Sequence, residues 1–182
     1  QAIPASLGTA AQVLTVNAGA TAAEWAAAGG GGTALELYAE NPSSPTTPLV
    51  SGPNSVAVGS GSRSQSNNGC MAFGIGAIAT ANASLAAGFQ PQATGAGSLA
   101  LGYVAASTGL FSTAIGNNSV SAGSRATALT RSYASGADSF AASIANNTSS
   151  YGATGANSIA MGQLSRATAA NSVAIGDGEI GR

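Results

Sequence analysis

The chain has 182 residues, of which only 6% are charged, and its formal net charge at pH 7 is −1. With no histidine and one cysteine, Cys70, it cannot form an internal disulfide, a histidine-based metal site or an imidazole base. Five scattered arginines without lysine cannot neutralise a run of phosphates, and no apolar run is long enough for a transmembrane helix. We therefore expect no nucleic-acid binding, no membrane insertion, no metal or cofactor and no enzymatic activity.

Residues 1–28 are predicted to form an N-terminal β segment. Alternation over Gln12–Val16 predicts a strand, and Trp25 is expected to close it by packing in a core or between subunits. A helix is expected nowhere, with residues 22–28 as the one place where it is conceivable. The phrase at 7–25, in which QVLTVN is followed by a tryptophan, resembles a segment of phage tail-fibre and related virion fibre proteins. That resemblance implies contacts between this segment and other virion fibre or tail proteins.

Residues 29–53 are predicted to form a linker. The four glycines at 29–32 favour a flexible connection. The alternation over 33–39 predicts a short strand, and the four prolines of 41–53 predict an extended connector.

From residue 54 to residue 182 we predict one repetitive domain. A five-residue phrase recurs at intervals of 15, 14, 14, 14, 14, 13, 19 and 14 residues. Its third position is always alanine, its second and fourth are mostly large and apolar, and its fifth is usually glycine. The nine copies begin at Ser55, Cys70, Ser84, Ser98, Ser112, Ala126, Ser139, Ser158 and Ser172.

This pattern predicts a short strand with one apolar face and one small-residue face, followed by a tight turn. A second small-residue phrase after each copy predicts another strand and turn. The repeats must then coil, so that equivalent strands stack in parallel at about 4.8 Å, giving a rod of roughly 40 Å.

The apolar strand residues are predicted to pack in the core or between subunits. Two large side chains per repeat, at about 1.5–3 kcal/mol each, barely oppose the ordering entropy of fourteen residues at about 1–2 kcal/mol each. We therefore expect the chain to associate with itself, using the small-residue face as the contact surface. The residues assigned to core or trimer packing are Val56, Val58, Leu99, Leu101, Ile159, Met161, Val173 and Ile175, together with Trp25.

The phrases at 54–59, 157–162 and 171–176 resemble the NSVAIG signature of YadA-like heads, which belong to trimeric autotransporter adhesins. The resemblance implies an all-β fold, a left-handed parallel β-roll of 14-residue repeats, and a homotrimer of such rolls. Weaker copies at 126–130 and 139–143 predict local irregularity.

Two surface features are candidates for receptor binding. The residue after the fifth position of each copy is expected to stack on its equivalents, and the insertion after Ser139 is expected to leave the roll as a loop. Aromatic groups beside amide and guanidinium groups suit recognition of a glycan or a protein. The alternative expectation is that the two aromatics of the stripe cap the edge of the roll or pack between subunits. The candidates are Phe89, Tyr103, Asn117 and Arg131 in the stripe, and Asn146, Asn147 and Tyr151 in the loop.

Together these features favour a homotrimeric virion fibre or spike that attaches to a glycan or protein of the host surface. The alternative is the head of a bacterial trimeric autotransporter adhesin, on the outer surface of a bacterium, that binds extracellular matrix or another cell. A third hypothesis is a passive structural spacer without a receptor.

Overall fold

The structure is a computed structural model that describes residues 12–16, 23–27, 46–66, 68–144 and 150–176. Its regular elements in these residues are twenty strands, β1 to β20. The chain divides into two compact units, residues 1–37 and residues 38–182. Within the described residues, no helix is long and apolar enough to cross a membrane.

The first unit contains an antiparallel hairpin of β1 (Gln12–Val16) and β2 (Ala23–Ala27). In this register Leu14 lies opposite Trp25. The predicted first strand is confirmed. The possible helix near residues 22–28 is wrong, because the backbone of this alanine-rich stretch pairs with β1, and pairing overrides its helix propensity. The strand predicted for 33–39 and the glycines at 29–32 lie outside the described residues.

The second unit is a parallel β-roll of two nine-stranded sheets. Sheet 1 contains β4 (Val56–Val58), β6 (Met71–Phe73), β8 (Leu85–Phe89), β10 (Leu99–Tyr103), β12 (Thr113–Ile115), β14 (Thr127–Leu129), β16 (Phe140–Ala142), β18 (Ile159–Met161) and β20 (Val173–Ile175).

Sheet 2 contains β3 (Leu49–Val50), β5 (Arg63–Ser64), β7 (Ile78–Ala79), β9 (Gln92–Ala93), β11 (Ala106–Ser107), β13 (Val120–Ser121), β15 (Tyr133–Ala134), β17 (Gly152–Ala153) and β19 (Arg166–Ala167). The chain alternates between the two sheets, so the predicted parallel stack of strand–turn–strand repeats is confirmed. Sheet 2 begins inside the segment predicted as a linker.

Equivalent positions of successive coils lie directly above one another. Ala100, for example, pairs with Ala86 on one side and Ala114 on the other. The third-position alanines of the middle coils are fully buried, whereas Ala57 and Ala174 at the two ends of the roll are only half-buried. The interior is thus a column of methyl groups that is covered only where another coil follows.

The structure corrects our expectation for the two strand faces. The small-residue face is the interior of the roll, and the large apolar residues of sheet 1 point outwards. Tight turns hold the two sheets so close that the largest fully buried side chains are Ile144, Pro91 and Cys70. The residues expected in the core instead lie outside it, half-buried or exposed: Val56, Val58, Leu99, Leu101, Ile159, Met161, Val173 and Ile175. Their packing between subunits stays a prediction.

Serine hydroxyls fill the corners of the interior. Ser112 Oγ donates to Gly109 O at 2.8 Å, and Ser62 Oγ donates to Gly59 O at 2.8 Å. Each of these bonds pairs a buried hydroxyl with the carbonyl oxygen three residues earlier, so that both polar groups of the turn have a partner. Among the described residues, only the hydroxyls of Ser98 and Ser165 are buried without a partner.

The turn glycines allow the close approach of successive coils. Gly102 has φ +126°, and a Cβ there would lie 2.7 Å from Gly116 O. Thr130 and Ser143, which replace this glycine in two coils, instead adopt φ 43° and 56°. The predicted need for glycine at the fifth position is confirmed, since a side chain there requires a different backbone conformation.

Candidate functional site

Sheet 1 carries a largely apolar outer surface, which is exposed towards its two ends and mostly half-buried in its middle strands. We call its outward-facing side chains at the second and fourth positions of each copy the apolar face. Of the fifteen exposed large hydrophobic side chains in the described residues, eight belong to this face and five to the turns at its two margins. The remaining two, Leu49 and Val50, are in the first strand of sheet 2. A contiguous patch of this kind marks an interaction site.

The outer surface of sheet 2 has a different character. Its outward side chains include Arg63, Gln92 and Arg166, and most of the strands are followed by a threonine or serine. The remaining outward positions are mostly apolar or small, among them the half-buried Ile78, Val120 and Tyr133, so this surface is mixed in character.

The predicted stripe begins with two stacked aromatic rings. Phe89 and Tyr103 occupy paired positions at the ends of β8 and β10, and their ring centroids lie 5.1 Å apart with an interplanar angle of 6°. The side chains are 39% and 51% exposed. Backbone bonds continue the row, because Val104 N donates to Phe89 O and Asn118 N donates to Tyr103 O, both at 2.8 Å. The stripe follows the turn after each strand of sheet 1, which we call the trailing margin of the apolar face.

The polar end of the stripe differs slightly from the prediction. Asn117 follows Tyr103 in the row, is exposed, and accepts a 2.7 Å bond from Asn118 Nδ2. The next turn is one residue shorter, so Arg131 N donates to Asn117 O at 2.8 Å, as Asn118 N does to Tyr103 O. Exposed Arg131 therefore stands beside the end of the stripe, in the position that Asn118 has one coil earlier.

The loop candidates are only partly described. Asn146 and Asn147 lie outside the described residues. Tyr151 is half-buried and packs against a buried cluster that includes Ile144 and Ala153. The structure thus places Tyr151 against the roll.

The structure adds an exposed apolar pair that the sequence reasoning missed. Leu110 and Phe111 are 46% and 62% exposed, at the turn before β12. Phe111 has φ 54°, and its ring lies over Gly97 of the preceding coil, where any Cβ would overlap it. The turns before the strands of sheet 1 form the leading margin of the apolar face. In the other coils this position holds asparagine, glycine, alanine or a charged residue. An alignment of the repeats would therefore have singled out the phenylalanine.

The leading margin continues with a bidentate ion pair. Arg125 Nε and Nη2 each donate to a carboxylate oxygen of Asp138 at 2.6 Å. The hydrogen bond from Arg125 lowers the pKa of the Asp138 carboxyl, partial desolvation opposes this, and Coulombic attraction adds to it. Further along, Asn157 Nδ2 donates to Asn171 Oδ1 at 3.1 Å.

The described residues contain no group of three or more side chains suited to binding a metal ion. Cys70 is fully buried, with its Sγ 3.0 Å from Ser64 Oγ. It therefore fills a small interior position.

Comparison with known proteins identifies the repeat. The family model described as YadA head domain repeat (2 copies) matches residues 50–69, 93–119, 107–129 and 153–178. A search of curated proteins found no match to the chain. The matched segments do not include residues 7–25, so the resemblance of those residues to virion fibres stays a prediction. Because the matched repeats form one continuous parallel β-solenoid, residues 50–178 of this chain belong to the YadA head family.

Proposed function

We propose that the chain is the head of a homotrimeric surface fibre and attaches the structure that bears it to a host surface. The observation that carries this proposal is the apolar face on a roll of the YadA head family, whose large side chains are left half-buried or exposed by the described residues of their own protomer.

Association between chains would explain why large apolar side chains are exposed on one side of the roll. The interior already excludes large side chains, so further burial of apolar area requires another chain. YadA head domains associate as trimers, and three rolls with their apolar faces towards a common axis would cover all three faces. The mixed outer surface of sheet 2, which carries Arg63, Gln92 and Arg166, would then face the solvent.

Attachment would use exposed polar groups beyond the aromatic part of the trailing margin, together with the insertion near Tyr151. Asn117 and Arg131 offer an amide and a guanidinium group on exposed turns, and the loop near Tyr151 adds a second candidate surface. Because the chain carries few charges, binding would depend on hydrogen bonds and on avidity. Three copies around one axis would strengthen a weak single contact.

We favour a virion fibre over a bacterial adhesin because residues 7–25 resemble fibre proteins and contain β1 and the first residues of β2. The bacterial alternative rests on the family match itself. The genes that flank this one distinguish the two: tail or capsid genes support the fibre, and an outer-membrane anchor in the same reading frame supports the adhesin.

Attachment is tested with the purified, fluorescently labelled chain, applied to candidate host bacteria and to surfaces coated with extracellular-matrix protein. We expect saturable binding to one of them that falls in an N117A/R131A variant of unchanged mass. The matched control is Thr94→Ala, an exposed substitution on sheet 2. If neither surface binds the wild-type trimer, the passive-spacer hypothesis gains support.

A further inference from the structure

We propose that an aromatic clasp joins neighbouring subunits: the Phe111 ring of one protomer packs against the Phe89–Tyr103 stack of the next. The clasp rests on the proposed trimer and specifies which side chains align its subunits. Its partner is a second copy of this chain.

The two halves of the clasp lie on opposite margins of the apolar face. Phe89 and Tyr103 are on the trailing margin, and Phe111, with Leu110 beside it, is on the leading margin. Strand β10 separates the margins by five residues, or about 16 Å at about 3.3 Å per residue. The aromatic groups of the two margins therefore cannot meet within one protomer.

Rotational symmetry brings the two margins together between protomers. In a closed ring of three subunits each interface is heterologous, so that one surface of a subunit meets a different surface of its neighbour. If the apolar faces point to the axis, the trailing margin of one roll meets the leading margin of the next. These are the two margins that carry exposed aromatic side chains.

The two halves also lie at the same height along the roll. The Phe111 ring leans over Gly97, which belongs to the turn directly before β10, and β10 ends at Tyr103. The ring is thus level with the coil that contains Tyr103, one coil below its own backbone. Gly97 leaves the space that this requires, because a Cβ there would overlap Phe111.

The conformation and chemistry of Phe111 support a contact beyond its own roll. The turn imposes a positive φ at this position in every coil, and a phenylalanine there, at φ 54° and 62% exposed, is the bulkiest apolar residue of the series. The stacked rings of Phe89 and Tyr103 are both exposed, and a third aromatic ring packs favourably on such a pair. In the described residues the charged side chains of the leading margin, Arg125 and Asp138, begin one coil further on.

Cysteine cross-linking tests the clasp in the full chain. In a Cys70→Ser background, which introduces the residue most other copies have in that position, Tyr103→Cys and Phe111→Cys are combined and treated with a short bismaleimide. We expect a covalent trimer on a denaturing gel, and no cross-link in either single variant. The matched control combines Phe111→Cys with Ser60→Cys, which lies on the same margin as Tyr103 but three coils away, about 14 Å at about 4.8 Å per coil. It should give no cross-linked product.

Light scattering on wild type and variants separates failure of the clasp from failure of the trimer. A trimeric mass without cross-linking, or equal cross-linking of the Ser60 control, overturns the clasp and leaves the trimer intact. A monomeric wild-type chain overturns both. As a second measurement, the shifts in dissociation midpoint of Phe111→Ala and Tyr103→Ala should sum to more than the shift of the double variant; additive shifts would contradict contact.

Discussion

A single methyl group per strand sets the width of the roll. Ala100 is fully buried between Ala86 and Ala114, and most buried side chains of the described roll are alanines and serines, with Ile144, Pro91 and Cys70 as the largest exceptions. At the interior positions the size of a side chain matters more than its hydrophobicity, because the turns fix the distance between the two sheets.

Enlarging Ala100 to leucine should therefore destabilise the roll strongly. The added methylene groups have no space, and overpacking of this kind costs about 1–3 kcal/mol or more. The matched control is Ala106→Leu, which adds the same volume on the outer surface of sheet 2, where Ala106 is half-buried. Denaturant unfolding of both variants measures the difference, and equal stabilities would contradict a closed interior.

Gly102 is sensitive for a different reason. Its φ of +126° disfavours any side chain, and a new Cβ would approach Gly116 O to 2.7 Å. We expect Gly102→Ala to lower the free energy of unfolding by more than about 1 kcal/mol. Gly69 has φ +59°, and a Cβ added there would meet no atom within 4 Å, so it is the control for backbone strain alone. Its alanine variant should be less destabilised.

At the scale of one coil, short side-chain ladders connect neighbouring turns. The Arg125–Asp138 pair and the Asn157–Asn171 bond each join equivalent positions of adjacent coils. Because both ladders are exposed, they fix the direction of turns more than they stabilise the fold.

The ion pair predicts a defined dependence on pH. The pKa of Asp138 is lowered in the folded chain, so the contribution of the pair is present above the pKa of the unfolded chain and is lost as the pH falls through the folded value. We expect Arg125→Ala to raise the pKa of Asp138. Carboxyl carbon shifts, followed by NMR from about pH 2 to about pH 6, would measure this, because that range spans the ordinary titration of an aspartate. An unchanged titration would mean that the pair does not persist in solution.

The sequence is sufficient to predict most of the structure of one coil, but less of the character of its surfaces. The invariant third-position alanine, exemplified by Ala100, predicts strand, period and parallel stacking. Which face is internal could not be predicted, because alternation alone does not reveal the distance between two sheets. The exposed stripe was predictable from Phe89 to Asn117, since equal spacing gives equal position. The one-residue deletion that shifts Arg131 and the tilt of Phe111 over Gly97 depend on local turn geometry.

At the scale of the whole roll, most of the exposed large apolar side chains in the described residues lie on sheet 1 and its margins, whereas the outer surface of sheet 2 is mixed. A side chain such as Leu101 does not contribute to the interior, so its environment is decided by what covers the apolar face. The stability of the single roll and the stability of the proposed trimer are therefore separable by substitution, which is unusual for a thin repeat protein in which neighbouring coils share all their buried area.

Leu101→Asp should dissociate the trimer and leave each roll folded. A carboxylate at the proposed subunit contact would be buried without a partner, which is strongly unfavourable, whereas on an isolated roll it would meet water. The matched control is Gln92→Asp, which introduces the same charge at an exposed position of sheet 2 in the preceding coil. Light scattering should give a third of the wild-type mass for Leu101→Asp and the full mass for Gln92→Asp, with the β-sheet circular dichroism of both retained. A trimeric Leu101→Asp chain would mean that the subunits meet through another surface, and the clasp of Phe111 with the Phe89–Tyr103 stack would lose its symmetry argument.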